Sequence, residues 1–215
     1  MKSRQEIKAM AKEAMGQQRE ASILLVLVIL GMALALSLLG LIPFLGPLLS
    51  IAGACFVVVW SVNTYGAFIK IYKREKTGVG EVASNLQVNF LRKLGGTWWM
   101  VLWFVLWYLL FIIPGIVKLM AYFFTPNILA DCPDVKATDA IKISMRITKG
   151  HKGKIFVFLL SWIGWFILSS LTAGILYVVY VGPYFYAADA GLYLEMRDEA
   201  IREGRVSKAE LGLGT

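Results

Sequence analysis

Apolar residues along this chain fall into long blocks, and what interrupts each block predicts its structure. Gly96–Asp131 is the clearest case. An apolar run opens at Trp98 and Trp99, breaks at Ile113-Pro114-Gly115, and resumes until Asn127 and Asp131. A hydrocarbon core ~30 Å thick takes about 20 helical residues to cross. Within it the backbone satisfies its own polar groups only as helices or closed barrels. The pattern therefore predicts a membrane hairpin. Two other parts of the chain repeat it. Ala21–Leu41 and Leu48–Ile69 flank a turn at Pro43 and Gly46-Pro47. Ile155–Leu171 and Ile175–Met196 flank Thr172-Ala173-Gly174, the second being bent at Gly182-Pro183.

Between these blocks the period changes to that of a helix with one apolar face. Ile7, Met10, Ala11, Ala14 and Met15 fall at i, i+3, i+4, i+7 and i+8. Ser3 and Glu6 have the spacing of a capping box ahead of them. Val79, Val82, Leu86, Phe90 and Leu94 form a second such face, and Ala137, Ala140, Ile141, Ser144 and Thr148 a third. Each piece leads through a basic, glycine-containing joint (16–19, 93–96, 149–154) into a hairpin. The predicted fold is all-α: a polytopic membrane protein with six transmembrane helices in three hairpins, 21–69, 97–131 and 155–196. Amphipathic cytoplasmic interfacial helices cover 3–18, 79–94 and 136–148. Residues 1–196 form one integral-membrane domain, and 197–215 a charged cytoplasmic tail, helical at first and then frayed. The helix at 3–18 either lies on an anionic membrane surface or forms a solvated helical tail. Ala33-Leu34-Ala35 mimics a signal-peptide cleavage site, but Glu6, Glu13 and Glu20 precede it and a second apolar block follows at once, so retention is expected.

Composition agrees with this reading. The chain is 58% hydrophobic and 17% charged, against about 45–50% and 25% for soluble domains. Its net charge of +8 could point to nucleic acid, yet the cations cluster between apolar blocks, and no basic stripe or RNA-binding motif accompanies them. Of the 22 lysines and arginines, Lys118 alone falls inside a span and the hairpin tips carry none, which puts both termini in the cytoplasm. Cys55 lies in an apolar block and Cys132 beside a charged loop, so no disulfide between them is expected.

Catalytic signatures are missing: there is no GxSxG, HExxH, P-loop, CxxC or GxGxxG, and the single histidine is His151. Neither an enzyme nor a cofactor or metal site is expected. Lys70, Lys73, Arg74, Arg92, Lys93, Lys149, His151, Lys152 and Lys154 gather at the inner ends of the spans, where anionic headgroups would meet them. Lys118 lies about 5 Å from the outer end of its span and Asp189 about 12 Å from the inner end of its own. Their backbones then differ in height by roughly 13 Å in a ~30 Å core, so no ion pair is expected and Lys118 should snorkel outward. Asn63 shares the level of Asp189, and Asn127 lies slightly nearer the cytoplasm. Together with Thr64 and Tyr186 these residues predict a polar layer in the inner half. Such a layer is either packing glue between helices or a site for a solute or proton. Trp99, Trp103 and Trp107 form a stripe expected to face lipid or anchor at the interface.

An ordered set of short motifs extends the picture. Ile113-Pro114-Gly115, Ile128-Leu129-Ala130-Asp131 with Pro133-Asp134, Ala140 to Ser144 and Lys149-Gly150-His151-Lys152 come in sequence. Trp165-Phe166, Leu168-Ser169, Leu171-Thr172, Gly174-Ile175 and Pro183-Tyr184 follow. Together they resemble a bacterial integral-membrane family known as domain of unknown function 975, over roughly Ser3 to Glu195. The resemblance implies a multi-pass protein of the bacterial cytoplasmic membrane and carries no functional residues. More distantly, the chain looks like the membrane portion attached to some glycerophosphodiester phosphodiesterases, without their catalytic acids and histidines. The expectation is a non-enzymatic module that organises lipid, a membrane-protein partner or a second copy of itself. A small-solute or ion transporter using the polar layer is the alternative.

Overall fold

In a computed structural model, the described residues, 2–43 and 45–213 (the side chains of Ile112 and Ile113 apart), fold as helices with no strand among them. Eleven α-helices follow in order: α1 Arg4–Gln17, α2 Arg19–Leu39, α3 Gly46–Tyr72, α4 Val79–Ser84, α5 Phe90–Leu110, α6 Ile112–Tyr122, α7 Thr125–Asp131, α8 Ala137–Ile147, α9 Lys152–Leu160, α10 Ile163–Leu171 and α11 Gly182–Arg202. A π-helical turn, Tyr177–Val181, leads into α11, and a 3₁₀ turn, Ala209–Leu211, lies beyond it. Four stretches are long and apolar enough to cross a membrane: α2, α3, α5, and the α9–α10 run Lys152–Leu171.

Burial divides the molecule into two parts. The core takes in the C-terminal half of α3 from Val59 to Ile71, together with α7, α8, α11 and the apolar strip of α1. Away from it, α2, α5, α10 and the first turns of α3 leave large side chains uncovered, among them Leu34, Leu38, Leu48, Leu109 and Ile167. Such residues in water would be a contiguous apolar patch far beyond that of a soluble monomer; in hydrocarbon they are solvated. The apolar belt and the polar base are thus two consequences of one sequence pattern.

Local chemistry explains most boundaries. Ser3 caps α1 as its spacing predicts: its Oγ accepts from the Glu6 amide, and the Glu6 carboxylate accepts from the Ser3 amide. The apolar strip of α1 then packs on α11, so this helix is docked on the protein along that face. The amphipathic helix expected over 79–94 is interrupted. It stops at Ser84, and α5 starts at Phe90 behind Asn89, whose left-handed backbone (φ 55°) breaks the path. Residues 95 and 96 are not a joint either. α5 runs through them although glycine weakens a helix by about 1 kcal/mol, because Gly96 leaves room for Leu129 and for Ala137. A Cβ there would stand 2.8 Å from both Leu129 methyls.

The central break falls at Phe111, which is extended (φ −157°, ψ 135°), and Pro114 sits in the first turn of α6, where its missing N–H is not needed. The returning run is divided again at Phe123-Phe124, with Pro126 in the first turn of α7. Ser161-Trp162 likewise separates α9 from α10. At the expected bend, the Gly182 amide bonds to the Tyr177 carbonyl, the longer reach of a π turn. The expected fourth, fifth and sixth spans are therefore not single uninterrupted α-helices. The tail differs as well. α11 continues to Arg202, and the segment after it is tied down: Val206 and Leu211 are buried, and Arg205 Nη1 donates to the carbonyls of Arg146, Ile147 and Lys149 at the end of α8. Residues 214 and 215 of the expected frayed end lie outside the described residues.

Candidate functional site

Between α7 and α11 the polar side chains form a ladder. Asn127 and Asp131 are one helical turn apart on α7; Asp189, Tyr193 and Arg197 are spaced the same way on α11. Positions four apart share a face, so the two rows meet rung by rung. On the upper rung Asn127 Nδ2 donates to Asp189 Oδ2 at 2.9 Å, with both residues at most 1% exposed. On the lower rung Asp131 Oδ2 accepts from Arg197 Nη1 at 2.7 Å and from the Tyr193 hydroxyl at 3.0 Å, while Lys73 Nζ from the end of α3 lies 3.8 Å from Oδ1.

The lower rung is braced from a fourth helix. Arg92 of α5 turns inward and donates to the carbonyls of Leu129 (3.0 Å), Val135 (2.7 Å) and Cys132. The Leu129 and Cys132 carbonyls lie at the C-terminal end of α7 and that of Val135 in the loop before α8, and a cation at a helix C-terminus also meets the negative end of the dipole. Cys132 is fully buried beside the Tyr193 hydroxyl at 3.9 Å. Burial pushes its thiol up to about 11, with the Asp131 carboxylate adding to the shift. At neutral pH it is a packed thiol and no nucleophile.

Of the expected polar layer, the structure joins Asn127 and Asp189. Asn63 is buried but faces elsewhere: its Nδ2 donates to the Val82 carbonyl of α4 at 3.2 Å. Thr64 bonds back to the Trp60 carbonyl of its own helix. Tyr186 presents its ring to Phe68 in a stack and to Tyr65 edge-on, each at 5.2 Å. Unused capacity remains on the upper rung, since Asn127 Oδ1, Asp189 Oδ1 and the nearby Thr125 Oγ1 are buried without hydrogen-bond partners among the described residues.

The basic residues part into three sets. Lys149 and Lys154 are exposed. Lys70 pairs with Glu81, Arg74 with Glu13 at 2.8 Å, and His151 faces Glu199 at 3.6 Å, while Lys152 is half-buried. Arg92 and Lys93 point into the protein; Lys93 is 7% exposed and donates to the Asn85 carbonyl at 3.2 Å. Lys118 does not extend away from the protein: its ammonium lies 4.6 Å from the Trp107 ring centre and 5.8 Å from that of Tyr122, a cation–π clasp across the α5–α6 turn. Trp99 and Trp103 are exposed on α5, edge to face with each other.

Sequence reasoning passed over Asp131, Tyr193 and Arg197. Their signal was present as two i, i+4 rows of polar residues on returning segments, one ending in an acid and the other in a base. No group of three His, Cys, Asp or Glu side chains able to hold a metal occurs among the described residues. A family model described as a protein of unknown function, DUF975, matches residues 92–200, which take in both rows of the ladder. No curated protein and no solved structure matches the chain.

Proposed function

We propose a role for this chain, which belongs to the DUF975 family of proteins of unknown function, from its own architecture: a non-enzymatic module of a bacterial plasma membrane that organises anionic lipid or a partner protein at its inner face. In this reading α6–α7 and the π turn with α11 complete three hairpins with α5, α2–α3 and α9–α10, giving six crossings with both termini in the cytoplasm. The observation that carries it is the division of the molecule. Exposed apolar side chains surround the outer halves of the helices, while α1, α4, α8 and the segment after α11 close into a base; the lysines and arginines other than Lys118 lie on those elements, on the helix ends that meet them and in the adjoining loops. Charge of this sign on one side of a set of apolar crossings is what holds that side in the cytoplasm.

Reporter fusions at Pro43, Gly115 and Ala173 test the topology. All three are expected on the outer side; a cytosolic reporter at any of them, or a chain soluble without detergent, removes the reading. Purification in native lipid tests the role, with anionic phospholipid or one stoichiometric protein expected to accompany the chain.

Transport is the second reading, favoured by the unpartnered oxygens of Asn127 and Asp189. Against it, the cavity beside Asn63 has neither Asn127 nor Asp189 in its lining. Dry packing of that pair fits a tie between α7 and α11 better than a path for a solute. Loss of a transport or growth phenotype in Asp189→Asn, with the fold intact, would reverse this preference.

A further inference from the structure

A cavity of about 320 Å³ lies where α3, α4, α5 and α7 meet, and Lys93 is buried in its wall. The ammonium group has three donors. One goes to the Asn85 carbonyl, and among the described residues no carboxylate pairs with it. The acids that share the lining are spent or peripheral: Glu81 is held by Lys70, Asp131 by Arg197 and Lys73, and Glu75 is exposed at the rim. A buried cation is retained when an anion compensates it, and among the described residues no carboxylate lies within ion-pair distance of Lys93. The lining holds three lysines and three carboxylates, so it is neutral as a whole. Its balance is uneven in place: Glu81 and Asp131 are taken up by Lys70, Lys73 and Arg197, which leaves the buried Lys93 as the cation without a counter-charge, in a space open enough for a tetrahedral anion.

We propose that this cavity binds a phosphate ester, with Lys93 as the buried counter-charge. The assignment rests on the reading of the base as the headgroup-facing end of a membrane protein, and it names the ligand class that the base takes. Two sources share this chemistry: the headgroup of an anionic phospholipid entering from the bilayer, and a soluble phosphate ester entering from the base.

The test uses the full chain in neutral detergent, with native mass spectrometry and thermal unfolding read side by side. Wild type should retain phosphatidylglycerol roughly 30-fold more tightly than Lys93→Met and should not retain phosphatidylcholine. Without lipid, Lys93→Met should unfold no earlier than wild type, because an uncompensated charge has been removed; with phosphatidylglycerol present the order should reverse. Asn63→Asp builds a carboxylate into the same wall and should also lose the lipid, which keeps the test open if Lys93→Met does not fold. Equal retention by wild type and a folded variant, or equal retention of the two lipids, overturns the site. Competition by soluble glycerol phosphate assigns it to a free ester, and its absence assigns it to lipid. Topology is read separately by the reporter fusions, so a cytosolic fusion at Gly115 defeats the membrane reading whatever Lys93 does.

Discussion

Asn127 and Asp189 show how a single polar contact can be worth more to break than to make. Their hydrogen bond is fully buried, so removing the donor strands a carboxyl group that has no other partner. Asn127→Ala should therefore destabilise the protein by about 1–3 kcal/mol, whereas Asp189→Asn preserves an amide-to-amide bond and should cost less. Thermal midpoints of the two variants in one detergent decide the matter; equal losses would mean that the bond is not formed. Ion pairs permit a second comparison. Arg197 and Asp131 are about one-tenth exposed, while Arg146 and Glu210 are well exposed. Arg197→Met should then cost about 3 kcal/mol and Arg146→Met less than about 1 kcal/mol. Cys132 adds a chemical readout. In a Cys55→Ala background its thiol should resist maleimide at neutral pH until the protein unfolds, since burial holds it near 11. The sequence revealed Asn127 and Asp189 because each is a polar residue in an apolar run at a similar depth. It did not reveal that Asn63 turns toward Val82, because depth says nothing about the rotation of a helix about its axis.

Among the helices, glycine marks where two of them come closest. A Cβ on Gly191 of α11 would run into the Tyr72 ring at the end of α3, whereas one on Gly164 of α10 would meet nothing within 4 Å. Gly191→Ala should lower the thermal midpoint, because a ring must shift. Gly164→Ala should hold or raise it, by up to about 1 kcal/mol from helix propensity. A midpoint lowered equally by both would show that helix contact is not the cause. Element types were largely readable from the apolar runs, and the capped start of α1 was readable to the residue. The central break was readable to within two residues, at Ile113-Pro114-Gly115 against the extended Phe111. The interruptions at 85–89, Phe123-Phe124 and Ser161-Trp162 were not, because the apolar period runs on through them. Arg205 belongs here too: a cation just past the end of α11 reads as solvated tail, yet it caps α8.

For the whole molecule, the fate of the base under acid follows in part from two carboxylates. Glu210 is held below its ordinary value of 4.5 by its bond to Arg146, and Glu81 likewise by Lys70. Each binds its proton less readily when folded, so the unfolded chain takes up more protons and stability falls as the pH falls. Their contribution is complete above about 4.5 and disappears as pH drops through the lower folded values. Both groups are partly exposed, so the effect is modest and salt should weaken it. Glu210→Gln should flatten the acid limb of a plot of unfolding midpoint against pH; an unchanged limb would place the acid sensitivity elsewhere. The division into apolar belt and polar base could be foreseen from the spacing of charged residues. The closure of that base by residues 203–213 could not, because the two apolar residues it buries, Val206 and Leu211, stand five apart and form no helical period.

The strip formed by Ile7, Ala11, Ala14 and Met15 is covered by α11, and Lys2 pairs with Glu195 at 2.9 Å. Synthesis places these partners far apart in time. Until α11 is made, α1 has only α2 and α3 of its own chain to lean on, and the part of its apolar stripe that α11 covers stays open. A stripe in that condition is free to rest on a nearby bilayer while the chain grows, and the finished fold takes it up as a clasp between the two ends.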